Sequence, residues 1–156
     1  MASSDYPLTS MPNAPRTRKM LEKLEFLVVQ DCYVDVENNQ YSHVYLPGAM
    51  WAEKDGCMTN TERRVNKINK VTEPHGDSKP DLWIFNEIAK RFNTEGKVNF
   101  PEASEDVFEE MRRVSKGRLV DYSGMNYAKI VANKGLQWPC TEESGEPSPR
   151  LYTDGV

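Results

Sequence analysis

The chain has 156 residues, the size of one ordinary domain; 38% of them are apolar, 28% are charged, and the net charge at pH 7 is −4. No block of like charge is long enough for a nucleic-acid-binding arm or a membrane-binding patch. No apolar run approaches the roughly 20 residues of a membrane span, and the first residues lack the basic and apolar regions of a signal peptide. We therefore expect no nucleic-acid partner and no membrane span.

The cysteines indicate the compartment and exclude one kind of site. Cys32, Cys57 and Cys140 are odd in number and far apart, without a C-x-x-C pair. This spacing excludes an iron–sulfur or zinc knuckle built within the chain and argues against a disulfide framework. The simplest interpretation is a reducing, cytoplasmic compartment, and no metal ligands are predicted.

The first half of the chain predicts one helix and two strands. Residues 1–15 are rich in proline and asparagine and indicate an irregular lead-in; Asn13 is suited to cap a following helix. The run 26–29 is continuously apolar, as in a strand buried on both faces of a parallel sheet. A second strand is predicted at 44–46, where Pro47 and Gly48 stop it. The segment 37–42 between them fits either one helical turn or a loop.

The second half is predicted to be mainly helical. In 59–71 the spacing fits a helix and an extended ladder equally well. Residues 81–92 have a one-sided apolar face and predict the clearest helix of the chain. Ser104 is expected to cap another helix, with Val107, Met111 and Val114 turned inward. A third helix is expected at 123–133, with Gly135 as its C-terminal cap.

Alternating strands and helices predict an α/β fold, with a small, mostly parallel, Rossmann-like sheet flanked by helices and an irregular C-terminal tail. We divide the chain into a lead-in at 1–15, an α/β domain at 16–135 and a loop-like tail at 136–156. Ligands of such sheets bind outside the carboxyl ends of the strands. The binding site is therefore expected near Gln30, Asp31 and the loop after Leu46.

The residues at these strand ends allow nucleotide binding without a glycine-rich phosphate loop, which the sequence lacks. Asp31 offers two acceptors side by side, and guanine presents two adjacent N–H donors on one edge. The alternative is that Asp31 only begins a turn. Lys54 either neutralises a phosphate or belongs to a solvated charge run. Asp81 favours the helix dipole whatever else it does, and Gln30 alone is uninformative.

Two adjacent arginines are a further anion-binding candidate. Arg63 and Arg64 follow Glu62, and such a trio is more often a structural salt-bridge group than an anion site. No nucleophile and base stand out as a catalytic pair, so no catalytic residue is predicted.

Several motifs together resemble the third domain of molybdopterin oxidoreductases, the family that contains nitrate reductases and formate dehydrogenases. The likeness extends over nearly the whole chain, and the order and spacing of its motifs match as well as their composition. The motifs are 27–31 (LVVQD), 46–56 (LPGAMWAEKDG), 59–65 (TNTERRV), 79–83 (KPDLW), 121–125 (DYSGM), 135–140 (GLQWPC) and 150–152 (RLY).

The resemblance implies a cofactor and four contacts. Members of the family hold molybdenum between two pterin guanine dinucleotides, bis(molybdopterin guanine dinucleotide), and this domain grips one dinucleotide near its guanosine and phosphate end. The matching positions are Gln30, Asp31, Lys54 and Asp81. Family members usually carry an Asn-Pro pair before the first helix, with the Asn near the cofactor. Tyr6 stands at that position here.

The resemblance also implies partners for this chain. The four-iron cluster, the protein ligand of molybdenum and much of the second pterin site belong to other parts of the family's enzymes. We therefore expect a fragment that works with the remaining domains of a parent oxidoreductase and has no activity alone. The residues at 49–51 (AMW) and 81–83 (DLW) resemble those of nitrate reductases more closely, with formate dehydrogenases next. The alternative is a stand-alone, non-catalytic module that binds a guanine nucleotide or the molybdopterin cofactor.

Overall fold

The structure is a computed structural model that describes residues 2–3, 7–92 and 101–153. Most of its strands lie between residues 28 and 68, and three helices follow them between residues 81 and 132. In order the elements are β1 (Ala2–Ser3), α1 (Pro7–Ser10), α2 (Ala14–Leu21), β2 (Val28–Asp31), a 3₁₀ turn (Glu37–Tyr41), β3 (Val44–Pro47), a second 3₁₀ turn (Trp51–Glu53), β4 (Gly56–Thr59), β5 (Arg64–Ile68), α3 (Asp81–Arg91), α4 (Ser104–Ser115), α5 (Tyr127–Ala132) and β6 (Leu136–Gln137).

The predicted parallel sheet is confirmed. Its order is β1-β2-β3, and both pairings are parallel. The register places Asp31 beside Pro47 at the carboxyl ends of β2 and β3. One further parallel segment joins the edge of β3: the Lys79 N–H donates to the Pro47 carbonyl (3.0 Å), and the Ala49 N–H donates to the Lys79 carbonyl (2.9 Å). The start of α3 therefore lies beside the carboxyl ends of β2 and β3.

The segment 59–71, whose spacing fitted helix and strand equally well, belongs mainly to a second sheet. β4, β5 and β6 form an antiparallel sheet in that order. Val65 on β5 is buried, whereas Val71 beyond the strand is 78% exposed, so the spacing by three does not mark one packed face. The third strand comes from the start of the segment 136–156, where Leu136 pairs with Val65. The division of the chain into three parts stays a prediction.

All four predicted helices are present, with different boundaries or faces. Asn13 caps α2 by accepting the Arg16 N–H (3.2 Å), as expected. Helix α3 matches the predicted range, although Phe85 and Phe92 on its apolar face are exposed. Helix α5 begins only at Tyr127, because the side chain of Asn126 caps it.

The inward face predicted for α4 was wrong. Val107, Met111 and Val114 are exposed, whereas Phe108 and Ser115, seven residues apart, are buried. The ring of Phe108 sets this orientation because it packs against aromatic residues of the 121–127 region. Ser104 is the first helical residue rather than the cap; Ala103 occupies the cap position and makes no side-chain capping bond.

The main apolar core joins α4, α5 and the antiparallel sheet. Its members share near-complete burial and are Val65, Phe108, Met125, Ile130, Leu136 and Cys140. Arg63 holds residues 138–149 against this core. Its guanidinium donates to the carbonyls of Trp138 and Pro149 and lies 5.6 Å from the centre of the Trp138 ring. Arg64 pairs with Glu62. Both arginines thus have the structural role rather than the anion-binding one.

Two glycines are required by close approach of the backbone. Gly135 follows α5 and closes a Schellman motif by donating its N–H to the Ile130 carbonyl (2.8 Å). Its φ is +102°, and a Cβ there would lie 2.6 Å from the Asn66 side-chain oxygen. A Cβ on Gly124 would overlap the carbonyl oxygen of Thr141, so the loop at 121–125 lies directly against the C-terminal segment.

Asp121 organises that loop. Its carboxylate accepts the N–H groups of Ser123 (2.7 Å) and Gly117 (2.8 Å), and its own carbonyl accepts the Cys140 N–H (2.8 Å). Burial raises the pKa of the carboxyl group, but the hydrogen bonds from Ser123 and Gly117 outweigh it, and the net direction is downward from 3.8. The folded state therefore binds this proton less readily than the unfolded chain.

We expect Gly124→Ala to lower the free energy of unfolding by about 1–3 kcal/mol, because its methyl group meets backbone rather than a movable side chain. Gly56→Ala is the matched control, since a Cβ at Gly56 meets nothing within 4 Å. Urea unfolding of both variants measures the difference. Equal free energies of unfolding for the two variants would show that the loop 121–125 moves away from Thr141 at no cost.

Asp121→Asn is expected to cost about 1–3 kcal/mol at neutral pH, because the amide places an NH₂ group against one of two N–H donors. The folded pKa of Asp121 is depressed, so its stabilisation is present above 3.8 and is lost as the pH falls through the folded value. The difference between variant and native chain should therefore shrink below that pH. Unfolding titrations across this range test it, with the exposed Asp77→Asn as control; a constant difference contradicts the assignment.

Candidate functional site

The carboxyl ends of the parallel segments bring three of the four predicted site residues into contact. Gln30, at 1% exposure, is one of the most buried polar residues described. Its side-chain Nε2 donates to Oδ1 of Asp81 over 2.6 Å, although the two residues are 51 positions apart in sequence. Asp81 can be reached because it is the first residue of α3, directly after the segment that pairs with β3.

Lys54 completes this cluster from the loop after β3. Its ammonium forms an ion pair with Oδ2 of Asp81. The preceding residue fixes the loop: Glu53 accepts the backbone N–H of Met50 through Oε2 (2.8 Å) and that of His75 through Oε1 (3.1 Å). The side chains of Lys54 and Asp81 are 30% and 42% exposed, so the pair lies at the mouth of the cluster while Gln30 forms its floor.

The amide orientation of Gln30 follows from its partner. A carboxylate only accepts hydrogen bonds, so the amide must turn its NH₂ group toward Asp81. Its Oε1 is then buried without a hydrogen-bond partner among the described residues. A buried acceptor left unpaired costs about 1–3 kcal/mol. Such a cost is typical of a site where a ligand supplies the missing donor.

Asp31 lies next to Gln30 but points into its own loop. Its Oδ1 accepts the Tyr33 N–H (2.9 Å), and its backbone carbonyl accepts the Tyr45 hydroxyl (2.7 Å) and the Gly48 N–H (2.8 Å). Burial, and after it the charge of Asp31, raise the pKa of Tyr45 and of the Cys32 thiol. Asp31 therefore does begin a turn, which was the structural alternative for it. Its contact with guanine stays a prediction.

Sequence reasoning missed how these residues depend on one another. Gln30 carried no signal by itself, yet it holds Asp81 from below. Glu53 had no predicted role, although an acidic residue three positions after the residue that begins a turn, as in a capping box, was the available signal for its bond to the Met50 N–H. Tyr6, which replaces the family's Asn, lies outside the described residues.

An apolar cavity of about 750 Å³ opens beside the Lys54–Asp81 pair. Trp51 lines it from the 3₁₀ turn before Lys54, Trp83 from the first turn of α3, and Met58, Val107 and Met111 from β4 and α4. Among the residues that the structure describes, no group of three or more His, Cys, Asp or Glu side chains could hold a metal ion. The cluster itself therefore offers acceptors, one cation and neighbouring apolar surface, which is the chemistry of nucleotide recognition.

No helix within the described ranges is long and apolar enough to cross a membrane.

Comparison with known proteins gives relatives across almost the whole chain. Nitrate reductase from Synechocystis is 39% identical over 152 residues, 95% of this chain. The F420-dependent formate dehydrogenase subunit alpha of Methanocaldococcus jannaschii is 37% identical over 150 residues, 96% of the chain. The assimilatory nitrate reductase catalytic subunit of Bacillus subtilis is 34% identical over 149 residues, 95% of the chain. The chain spans 21% of the length of each of these relatives.

A solved structure and a family model agree with this result. Acetylene hydratase from Pelobacter acetylenicus superposes with a TM-score of 0.52 over 89% of this chain and 19% of its own; at 21% identity this likeness concerns the fold. The model of the molybdopterin oxidoreductases matches residues 3–91, which is more than half of the chain and includes every residue of the cluster. The chain therefore belongs to the molybdopterin oxidoreductase family.

Proposed function

We propose that this chain is the part of a molybdenum oxidoreductase that binds one end of bis(molybdopterin guanine dinucleotide). The observation that carries the proposal is the contact of Gln30, Asp81 and Lys54 at the carboxyl ends of the parallel segments. This is the place where α/β sheets bind their ligands. The family makes a molybdopterin cofactor the ligand to consider first.

The chemistry of the cluster fits a guanosine with phosphate. Among the residues that the structure describes, none donates to the buried Oε1 of Gln30, and guanine N–H groups or ribose hydroxyls would supply a donor. The Asp81 carboxylate adds acceptors at the mouth of the site, and the Lys54 ammonium is placed to neutralise a phosphate. The bound cofactor supplies two-electron transfer at molybdenum, and the residues of this chain bind and orient it.

Asp31 is proposed to select guanine. It follows Gln30 at the end of β2, where its buried carboxylate holds a turn through the Tyr33 N–H. A carboxylate has about four lone-pair sites, so it holds a turn and still accepts from a ligand. Pairing with the two adjacent N–H donors of guanine gives a charge-assisted, bidentate contact, which adenine does not reproduce.

The whole enzyme is proposed to be nitrate reductase-like, with formate dehydrogenase-like next. Relatives of both names match the same residues at overlapping identities, so identity alone does not separate them. The preference for nitrate reductase rests on the residues at 49–51 (AMW) and 81–83 (DLW). The remaining domains of the parent are the proposed partners, and they hold the iron–sulfur cluster and the molybdenum ligand. Three separated cysteines, all free in the described residues, support a cytoplasmic location.

A second candidate is a stand-alone module that binds a guanine nucleotide or the molybdopterin cofactor without redox work. The observation that favours it is that Gln30 and Lys54 both already contact Asp81 within this chain. The flanking reading frame separates the two candidates. An upstream C-x-x-C-x-x-x-C run supports the parent enzyme; a start and a stop codon that enclose this segment support the module.

For Asp31 we expect Asp31→Asn to weaken binding of GDP by about tenfold while leaving the weaker binding of ADP unchanged. The amide keeps an oxygen for the Tyr33 N–H, so the turn is retained, but it loses the bidentate acceptor. Calorimetry with GDP and ADP measures both affinities, and Asp77→Asn in an exposed loop is the control. Equal GDP affinity in the two variants would remove Asp31 from guanine selection.

The purified chain is expected neither to reduce nitrate nor to oxidise formate, because the proposal places the molybdenum ligand and the electron-transfer cluster in the parent's other domains. Dye-linked assays of both reactions measure this, with the cofactor supplied. The reaction should appear only with the complete parent polypeptide. Turnover by the isolated chain, free of contaminating enzyme, would contradict the division of labour proposed here.

A further inference from the structure

The apolar cavity beside the nucleotide cluster forms an open groove. Trp51, Met58, Trp83, Val107 and Met111 line it, and we call this surface the apolar groove. These five residues come from three separate parts of the chain and are each between 39% and 61% exposed. Soluble monomers rarely leave large apolar side chains contiguous and uncovered, and such surfaces mark interaction sites.

Helix α4 shows that the groove is a second apolar surface and not an incomplete core. Phe108 and Ser115 already turn to the interior, and the ring of Phe108 packs 5.5 Å from that of Tyr127. Val107 and Met111 lie on a neighbouring face of the same helix and line the groove. The apolar arc of α4 is therefore wider than its contact with the core uses, and the part of it that faces the groove is left uncovered in this chain.

The charges at the rim indicate what covers the groove. Lys54 is paired with Asp81, Asp55 is paired with Lys67 over 3.1 Å, and Glu102 is paired with Lys90 over 3.4 Å. These charges are satisfied within the chain, and the five lining residues that define the groove carry none. The matching surface is therefore apolar rather than acidic or basic.

The comparison with relatives indicates where that surface comes from. This chain spans 21% of nitrate reductase from Synechocystis while 95% of the chain is matched, so about four-fifths of such a polypeptide is available to pack against it. A covalently linked neighbour also has a high effective concentration, so a modest groove is sufficient. A second copy would have to present both the groove and a matching ridge on one self-complementary surface.

We infer that an apolar segment of another domain of the same full-length polypeptide docks in the apolar groove. This rests on the proposal that the chain is one domain of a parent enzyme, but it does not depend on which nucleotide the cluster binds. Docking there would cover Trp51 and Trp83, which flank the Lys54–Asp81 pair, and would exclude water from that side of the cluster.

Cysteine labelling tests the inference. Met111→Cys places a thiol in the groove, and Arg113→Cys places one on the polar side of the same helix, outside the groove; both native side chains are exposed in this chain. Maleimide labelling of each variant is followed by peptide mass spectrometry, in the isolated chain and in the full-length polypeptide. We expect Met111→Cys to react at least about tenfold more slowly in the full-length polypeptide, and Arg113→Cys to keep its rate within about twofold.

The other outcomes overturn the inference. Equal labelling of Met111→Cys in both proteins means that no domain covers the groove. Slow labelling in the isolated chain that becomes faster on dilution assigns the groove to a second copy. A reading frame without a further domain removes the proposed occupant. GDP titration of the same samples keeps the two proposals apart: slow labelling without GDP binding retains the docked groove and counts against the nucleotide site alone.

Discussion

The hydrogen bond between Gln30 and Asp81 is the interaction on which the arrangement of this protein's site depends. It joins the end of β2 to the first residue of α3, and Lys54 enters only because Asp81 is held there. The bond is buried at the Gln30 end, where an unpaired amide would be costly, so the two residues constrain each other's position. Gln30, which is uninformative by itself in the sequence, thereby fixes the positions of Asp81 and Lys54, which the sequence did single out.

Binding and burial are separated within the described structure. The parallel sheet contributes polar side chains at its carboxyl edge, whereas the main buried cluster lies with α4, α5 and the antiparallel sheet. Helix α4 takes part in both regions, because Phe108 enters the core and Val107 and Met111 line the groove. The edge of the parallel sheet can therefore carry exposed and unpaired groups while the core around Phe108 supplies burial.

Much of the secondary structure could be predicted from the sequence, whereas the strand pairings and the contacts within the site could not. The apolar run before Gln30 and the one-sided helix after Pro80 are local patterns; the helix formed over the predicted range, whereas the strand begins two residues late, at Val28, and continues to Asp31. The inward face predicted for α4 was wrong because three apolar residues at helical spacing predict one core stripe, although partner rings select Phe108 instead. The ladder of β5 and β6 joins residues about 70 positions apart, and local spacing contains no information on such a pairing. The four site residues came from the resemblance, and their contacts came from the structure.

The pairing of Lys54 with Asp81 has a consequence for the kinetics of ligand capture. The Lys54 ammonium at the mouth of the cluster is cancelled by the Asp81 carboxylate, and Asp31 behind it adds no attraction for an anion. A phosphate-bearing ligand, as proposed for this site, would therefore gain little long-range attraction from this pair and would be held by contacts at hydrogen-bond distance. The pair would add little to the rate of association or to its dependence on ionic strength, in contrast to unpaired cations that attract phosphates over a Debye length.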